Sequence, residues 1–196
     1  MSLNRTLITY FGPFKQFQEN PAELVANKLQ ILFKKDPTIE FKRLEVTYQS
    51  IDQFLETDLN HYDTIIELGV ATKSEIVRLE LFGRNYVNGV DNNAVSKDGA
   101  INPNGKTVVK TNFSESFLDQ ITTNYPDTVS KSESAGKYLC NYLYYQSINK
   151  FPEKNILFIH LANFIDIPHA ILLDEQVEII ANILKKYNKE YLRNLS

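Results

Sequence analysis

Apolar runs of strand length alternate with amphipathic runs of helix length from one end of this chain to the other. That alternation restricts the fold more than any other feature, because repeated strand-helix-strand units bury their apolar faces as a largely parallel sheet covered by helices. Thr6 to Phe11 is rich in β-formers and stops at the turn signal Gly12-Pro13, so it reads as the first strand. Asn20 then caps a helix with Pro21 at its first position, and Leu24, Val25, Leu29, Leu32 and Phe33 make its apolar face.

The pattern continues. Ile39 to Val46 alternates apolar and polar residues, as a strand near a sheet edge does, and Ser50 to Leu59 reads as a helix capped by Ser50. Thr64 to Val70 is a buried strand, with Gly69 permitting close approach by neighbouring backbone. Ser74 to Leu81 reads as a helical turn or short helix. Asn85 to Thr107, rich in Asn, Gly and Asp, reads as a long loop, either the wall of a site or a surface excursion. Val108 to Phe113 is a short strand, Ser114-Glu115 opens a helix, and Thr128 to Ser132 returns extended. Ser134 to Ile148 reads as a helix, Asn155 to Leu161 as the central strand, and the last helix runs from after Asp174 to about Leu192.

Composition narrows the function. With 196 residues, 43% of them hydrophobic and 23% charged, the chain fits one globular domain spanning 1–196. Its net charge is -3 and its cations are scattered among acids, so nucleic acid is not an expected partner. One cysteine cannot form an internal disulfide, Met1 to Arg5 has no signal-peptide pattern, and no apolar stretch approaches membrane-spanning length. The expected location is therefore cytoplasmic, away from membranes. No HxxxH, HExxH or CxxC spacing and no glycine-rich phosphate cradle occurs, so neither metal nor cofactor is expected.

Three residues could carry chemistry. His160 ends the strand NILFIH, at the carboxyl edge where α/β proteins build their sites; it is either a base or a satisfied core histidine. Cys140 follows a run of small residues (Ser132, Ser134, Ala135, Gly136) that permits a tight turn into a helix, so it is either a nucleophile or an inert small hydrophobe. A helix N-terminus and an adjacent imidazole would give it thiolate character, although a helix starting at Ala135 puts Cys140 in the second turn, where the dipole has faded. Glu80 is either the group that orients the imidazole or an exposed helix-face glutamate.

Four separated segments resemble the pyroglutamyl-peptidase I (pyrrolidone-carboxylate peptidase) family. Thr9 to Phe14 followed by Asn20-Pro21 looks like the family's TGFEPFGG…NP opening, and Leu68 to Ala71 with Leu79-Glu80 and Asn85 looks like its LGQAGGR…ERxAxN segment. Ser134 to Asn141 is similar to the nucleophile motif SAGxYLCN, and Phe158-Ile159-His160 to the FIH element. The resemblance implies a phosphorylase/hydrolase-like α/β/α sandwich that removes N-terminal pyroglutamate from peptides through a Cys140, His160 and Glu80 triad. It also implies that Phe11, Phe14, Val70 and Asn20 form the substrate slot and that the chain assembles as a homo-oligomer, dimer or tetramer. The chain departs from the family in four places: the lactam-side glutamine is Val70, the glycine pair after it is Thr72-Lys73, the GG of the opening motif is Lys15-Gln16, and the arginine-bearing DARIPDN is Tyr86 to Asn92. Those departures leave open a related cysteine hydrolase for another N-terminal acyl group, or a catalytically impaired binding protein.

Overall fold

The computed structural model describes residues 4–14 and 18–194. Expectations resting on Met1 to Leu3 and on Lys15-Gln16 fall outside that range. Six strands form the central sheet, in the order β2 (Ile39–Leu44), β1 (Thr6–Phe11), β3 (Thr64–Ala71), β10 (Asn155–Ala162), β4 (Val77–Glu80) and β9 (Val129–Ser132). The first four are parallel; β4 runs antiparallel to β10, and β9 follows β4. This is a mixed α/β architecture with a mostly parallel sheet, and the alternating β2 is at its edge, as its one wetted face requires.

Helices cover both faces, which is why the inner strands read as unbroken apolar runs. Ile8, Ile66, Leu157 and Ile159 pack under α1 (Pro21–Leu32), α3 (Glu115–Asn124) and α5 (Leu173–Asn194). Their chain neighbours Leu7, Ile65, Ile156 and Phe158 point the other way, under α2 (Tyr48–Leu55) and α4 (Leu139–Lys150). Each such side chain, withdrawn from water, contributes about 1.5–3 kcal/mol, so β10 is anchored from both sides. Among the described residues no helix is long and apolar enough to cross a membrane.

Local signals set the helix starts. The Asn20 side chain accepts from the Ala22 amide and Ser114 from Phe117, as their positions require. The second helix begins earlier than expected, because Thr47 rather than Ser50 is its cap and accepts from the Ser50 amide.

Three larger corrections concern the region that builds the site. Ser74 to Leu81 contains no helix: Val77 and Leu79 enter the α1 side of the core while Arg78 and Glu80 point to the α4 side, the two-residue period of a strand. Ser134 to Tyr138 is not helical either, since Gly136 adopts φ 84°, Tyr138 is extended, and α4 begins at Leu139. Asn85 to Thr107 is not a plain loop. It carries a hairpin of β6 (Val87–Val90) and β7 (Ser96–Gly99), next to a pair formed by β5 (Phe82–Arg84) and β8 (Val108–Lys110).

Polar residues turn and fasten that hairpin. The Asp91 carboxylate accepts from the amides of Tyr48, Asn93 and Val95. Lys97 Nζ donates to the Tyr142 hydroxyl at 2.6 Å and lies 4.4 Å from that ring's centre, which ties the hairpin to α4.

Candidate active site

Strand register brings two of the candidate groups, His160 and Glu80, together on the α4 face of the sheet. Gly69 on β3 is in register with His160 on β10, and Phe158 is flanked by Glu67 on β3 and Glu80 on β4. Side chains two apart share a face, so Glu67, Gly69, Phe158, His160, Arg78 and Glu80 form one patch. His160 is buried, and its Nδ1 is 2.7 Å from Glu80 Oε1, with Glu80 wholly withdrawn from solvent. With a carboxylate as acceptor, the ring proton is on Nδ1 and Nε2 presents its lone pair. Two neighbours hold the pair in place: the Tyr144 hydroxyl donates to the Glu80 carbonyl at 2.7 Å, and the Phe158 ring is 4.8 Å from the imidazole.

Cys140 reaches this patch from the first turn of α4, one turn earlier than a helix from Ala135 would give. The left-handed conformation at Gly136 reverses the chain there, and Asn141 then locks the start of α4 to the strand beside it. Its side chain accepts from the Arg84 amide and donates to the carbonyls of Arg84 and Tyr86. The sulfur rests on Gly69, where a Cβ would stand 2.9 Å from Sγ and 2.7 Å from Phe158 Cζ. A side chain at that position is therefore excluded.

The electrostatics overturn one expectation. Cys140 keeps partial solvent access as a residue, yet burial of the thiol, reinforced by the negative charges of Glu80 and Glu67, pushes its pKa up to about 12. Among the described residues no hydrogen bond joins the sulfur to the imidazole, so the resting group is a neutral thiol rather than half of an ion pair. Glu67 is likewise fully buried, and desolvation raises it to about 8 against the opposing hydrogen bond from Ser147 at 2.6 Å. One oxygen of each glutamate, Glu67 and Glu80, finds no partner among the described residues.

Beside the sulfur is a cavity of about 90 Å³ whose wall includes Phe11, Phe14, Asn20, Val70 and Tyr138. Of the seven residues singled out in the sequence, Phe11, Phe14, Asn20, Val70 and Cys140 line this cavity, while His160 and Glu80 are on the sheet face that carries Gly69. Asn20 contributes as a frame: its amide donates to the Gly12 carbonyl at 2.8 Å and its oxygen caps α1, which fixes the turn between Phe11 and Phe14. Sequence reasoning missed four lining residues, Val46, Thr72, Leu139 and Tyr138, of which Tyr138 is the largest. Its ring is 5.6 Å from Phe14 and its hydroxyl donates to the Val90 carbonyl at 2.7 Å, so the hairpin holds one wall of the cavity. Its place two residues before the only cysteine was the available signal. A larger cavity of about 620 Å³, lined in part by Asp52, Ile101 and Tyr145, contains neither thiol nor histidine. Among the described residues no cluster of three or more His, Cys, Asp or Glu side chains is placed to hold a metal ion.

Residues 4–181 match the family model described as pyroglutamyl peptidase. The chain is 27% identical over 162 residues to the pyrrolidone-carboxylate peptidase of Saccharolobus islandicus, covering 79% of this chain and 78% of that one. It is 28% identical over 171 residues to the protein of the same name from Lactobacillus acidophilus, covering 80% and 82%. The crystal structure of pyrrolidone carboxyl peptidase from Thermus thermophilus superposes with a TM-score of 0.80 at 24% identity, covering 91% of this chain and 98% of that chain.

Proposed function

The chain belongs to the pyroglutamyl peptidase family, which hydrolyses pyroglutamyl peptides, and from that premise we propose that Cys140, His160 and Glu80 are its nucleophile, base and orienting carboxylate. The observation that carries this reading is the 2.7 Å pairing of His160 Nδ1 with Glu80, on the same sheet face as the sulfur seated over Gly69.

The thiol is neutral at rest, so His160 Nε2 takes its proton as the sulfur attacks the pyroglutamyl carbonyl, instead of storing a thiolate beforehand. The start of α4 has no side-chain cap, which leaves first-turn amides near Cys140 to meet the developing oxyanion. Collapse of that intermediate breaks the amide bond, and the imidazolium gives its proton to the leaving amine. Water, deprotonated by the same imidazole, then cleaves the thioester, frees pyroglutamate and restores the thiol. The lactam ring occupies the apolar cavity between Phe11 and Phe14, with Val70 as its floor and Asn20 holding the aromatic turn in place.

Val70 favours a second reading within the same class. An apolar wall where the family has glutamine accepts a ring without bonding its amide, and losing one such partner costs about 1–3 kcal/mol, so a related N-terminal acyl group would compete with pyroglutamate. The deciding experiment follows hydrolysis of pyroglutamyl-aminomethylcoumarin beside acetyl- and prolyl-aminomethylcoumarin, for the parent and for Cys140→Ala. Release from the pyroglutamyl amide by the parent alone is expected; equal rates in parent and variant would refute the proposal.

A further inference from the structure

Arg78 is not one of the groups that the proposed reaction uses, yet it faces them. It is opposite His160 in the antiparallel β10–β4 ladder, and its side chain shares the patch that holds Glu80. Its Nη2 donates to Ser132 Oγ at 2.7 Å, which anchors the guanidinium and leaves Nε 3.9 Å from Glu80 Oε1, the oxygen that also bonds His160. The side chain remains 38% exposed, so its charge is partly screened but not lost.

A carboxylate with no solvent contact depends on nearby cations and donors for its charge. The two glutamates flanking Phe158 make the comparison within one molecule. Glu67 and Glu80 are equally buried on the same face; among the described residues Glu67 is met by the Ser147 hydroxyl alone, whereas Glu80 has His160 and Arg78.

We infer that Arg78 is a positioning residue of the reaction: anchored on Ser132, it holds Glu80 toward His160 and biases the paired groups toward neutral imidazole and thiolate. The inference rests on the proposed roles of Cys140, His160 and Glu80. Among the described residues, the ionisable and charged groups on the face of His160 are Glu80 and Arg78 from β4, Glu67 from β3, and Cys140 and Tyr144 from α4; β9 adds the neutral Ser132. Arg78 is the one permanent cation in that set. Its positive charge opposes an imidazolium beside it and favours a thiolate, so its removal moves both titrations to higher pH.

The test compares R78Q, R78K and Ser132→Ala with the parent. In R78Q the acid limb of the kcat/KM profile is expected to move up by roughly half a unit to one unit, with kcat falling several-fold and KM nearly constant, while R78K restores the limb. Ser132→Ala keeps the charge but frees the guanidinium, and is expected to give a smaller shift in the same direction. The pH dependence of Cys140 alkylation by iodoacetamide, which needs no substrate, is expected to move the same way in R78Q. An unchanged limb and alkylation profile in R78Q, or a shift that R78K fails to reverse, overturns the inference. A parent that alkylates with the expected pH dependence but cleaves no pyroglutamyl amide refutes the substrate reading instead, and the alkylation profiles still decide the role of Arg78.

Discussion

Replacing Glu67 with glutamine should change how the stability of this protein depends on pH. In the unfolded chain this carboxyl titrates near its ordinary 4.5, whereas in the folded chain burial holds its proton up to about 8. Between those values unfolding releases a proton, so raising the pH favours the unfolded state, and stability falls across the window before levelling above it. One pKa unit corresponds to about 1.4 kcal/mol, which puts the loss at about 3 kcal/mol by pH 7 and about 4 by pH 8, where half of the folded carboxyls have ionised. No solvent discount applies, because Glu67 is wholly buried. Glutamine has no such titration. Its carbonyl can still accept the Ser147 hydroxyl, while its amide occupies the place of an oxygen that has no partner, a pH-independent cost of about 1–3 kcal/mol. The two stability curves, measured by urea unfolding from pH 4.5 to 8, should therefore diverge, with Glu67→Gln gaining about 3 kcal/mol on the parent between pH 4.5 and 7. Parallel curves would mean that the folded state does not hold this proton, and the reasoning from burial would be wrong.

The same electrostatics apply to Cys140. With its thiol pushed up to about 12, alkylation at pH 7 should be slower than that of a free cysteine and should rise roughly tenfold per pH unit to pH 10; a plateau reached by pH 8 would show a preformed thiolate instead. Gly69→Ala places a methyl group 2.9 Å from the sulfur and 2.7 Å from Phe158 Cζ, so it should cost about 1–3 kcal/mol in thermal unfolding and on the order of 100-fold in kcat, with the sulfur displaced. Parent-like turnover in that variant would contradict the seating of the thiol. Tyr144→Phe removes the hydroxyl that holds the Glu80 carbonyl and should lower stability by about 1–3 kcal/mol and reduce kcat more than KM, which steady-state kinetics would separate.

Where the chain obeys the simplest rule of patterning, its fold was legible. β1, β3 and β10 are apolar on both sides because helices cover both faces, and Asn20 and Ser114 cap the helices that follow them. The candidate groups Cys140, His160 and Glu80 stood apart in the local patterning, and the family resemblance alone joined them. His160 and Glu80 are paired through strand register and Cys140 comes to Gly69 from the start of α4, and no local pattern encodes either. The short strand Val77–Glu80 was misread as helical for a related reason. A rule that assigns charge to solvent treats Arg78 and Glu80 as the wet side of a helix, and in the fold both point to the covered α4 side, where the imidazole is their solvent. The long Asn85 to Thr107 segment fails in the same direction: Asp91 and Lys97 look like loop polarity, and their partners are backbone amides and the rings of Tyr48 and Tyr142. These two misreadings fell where polar side chains meet partners inside the protein instead of water. A departure from patterning in this chain is therefore itself a pointer to the site, because burying charge costs stability that only an arrangement of partners, here carboxylate, imidazole and guanidinium, offsets.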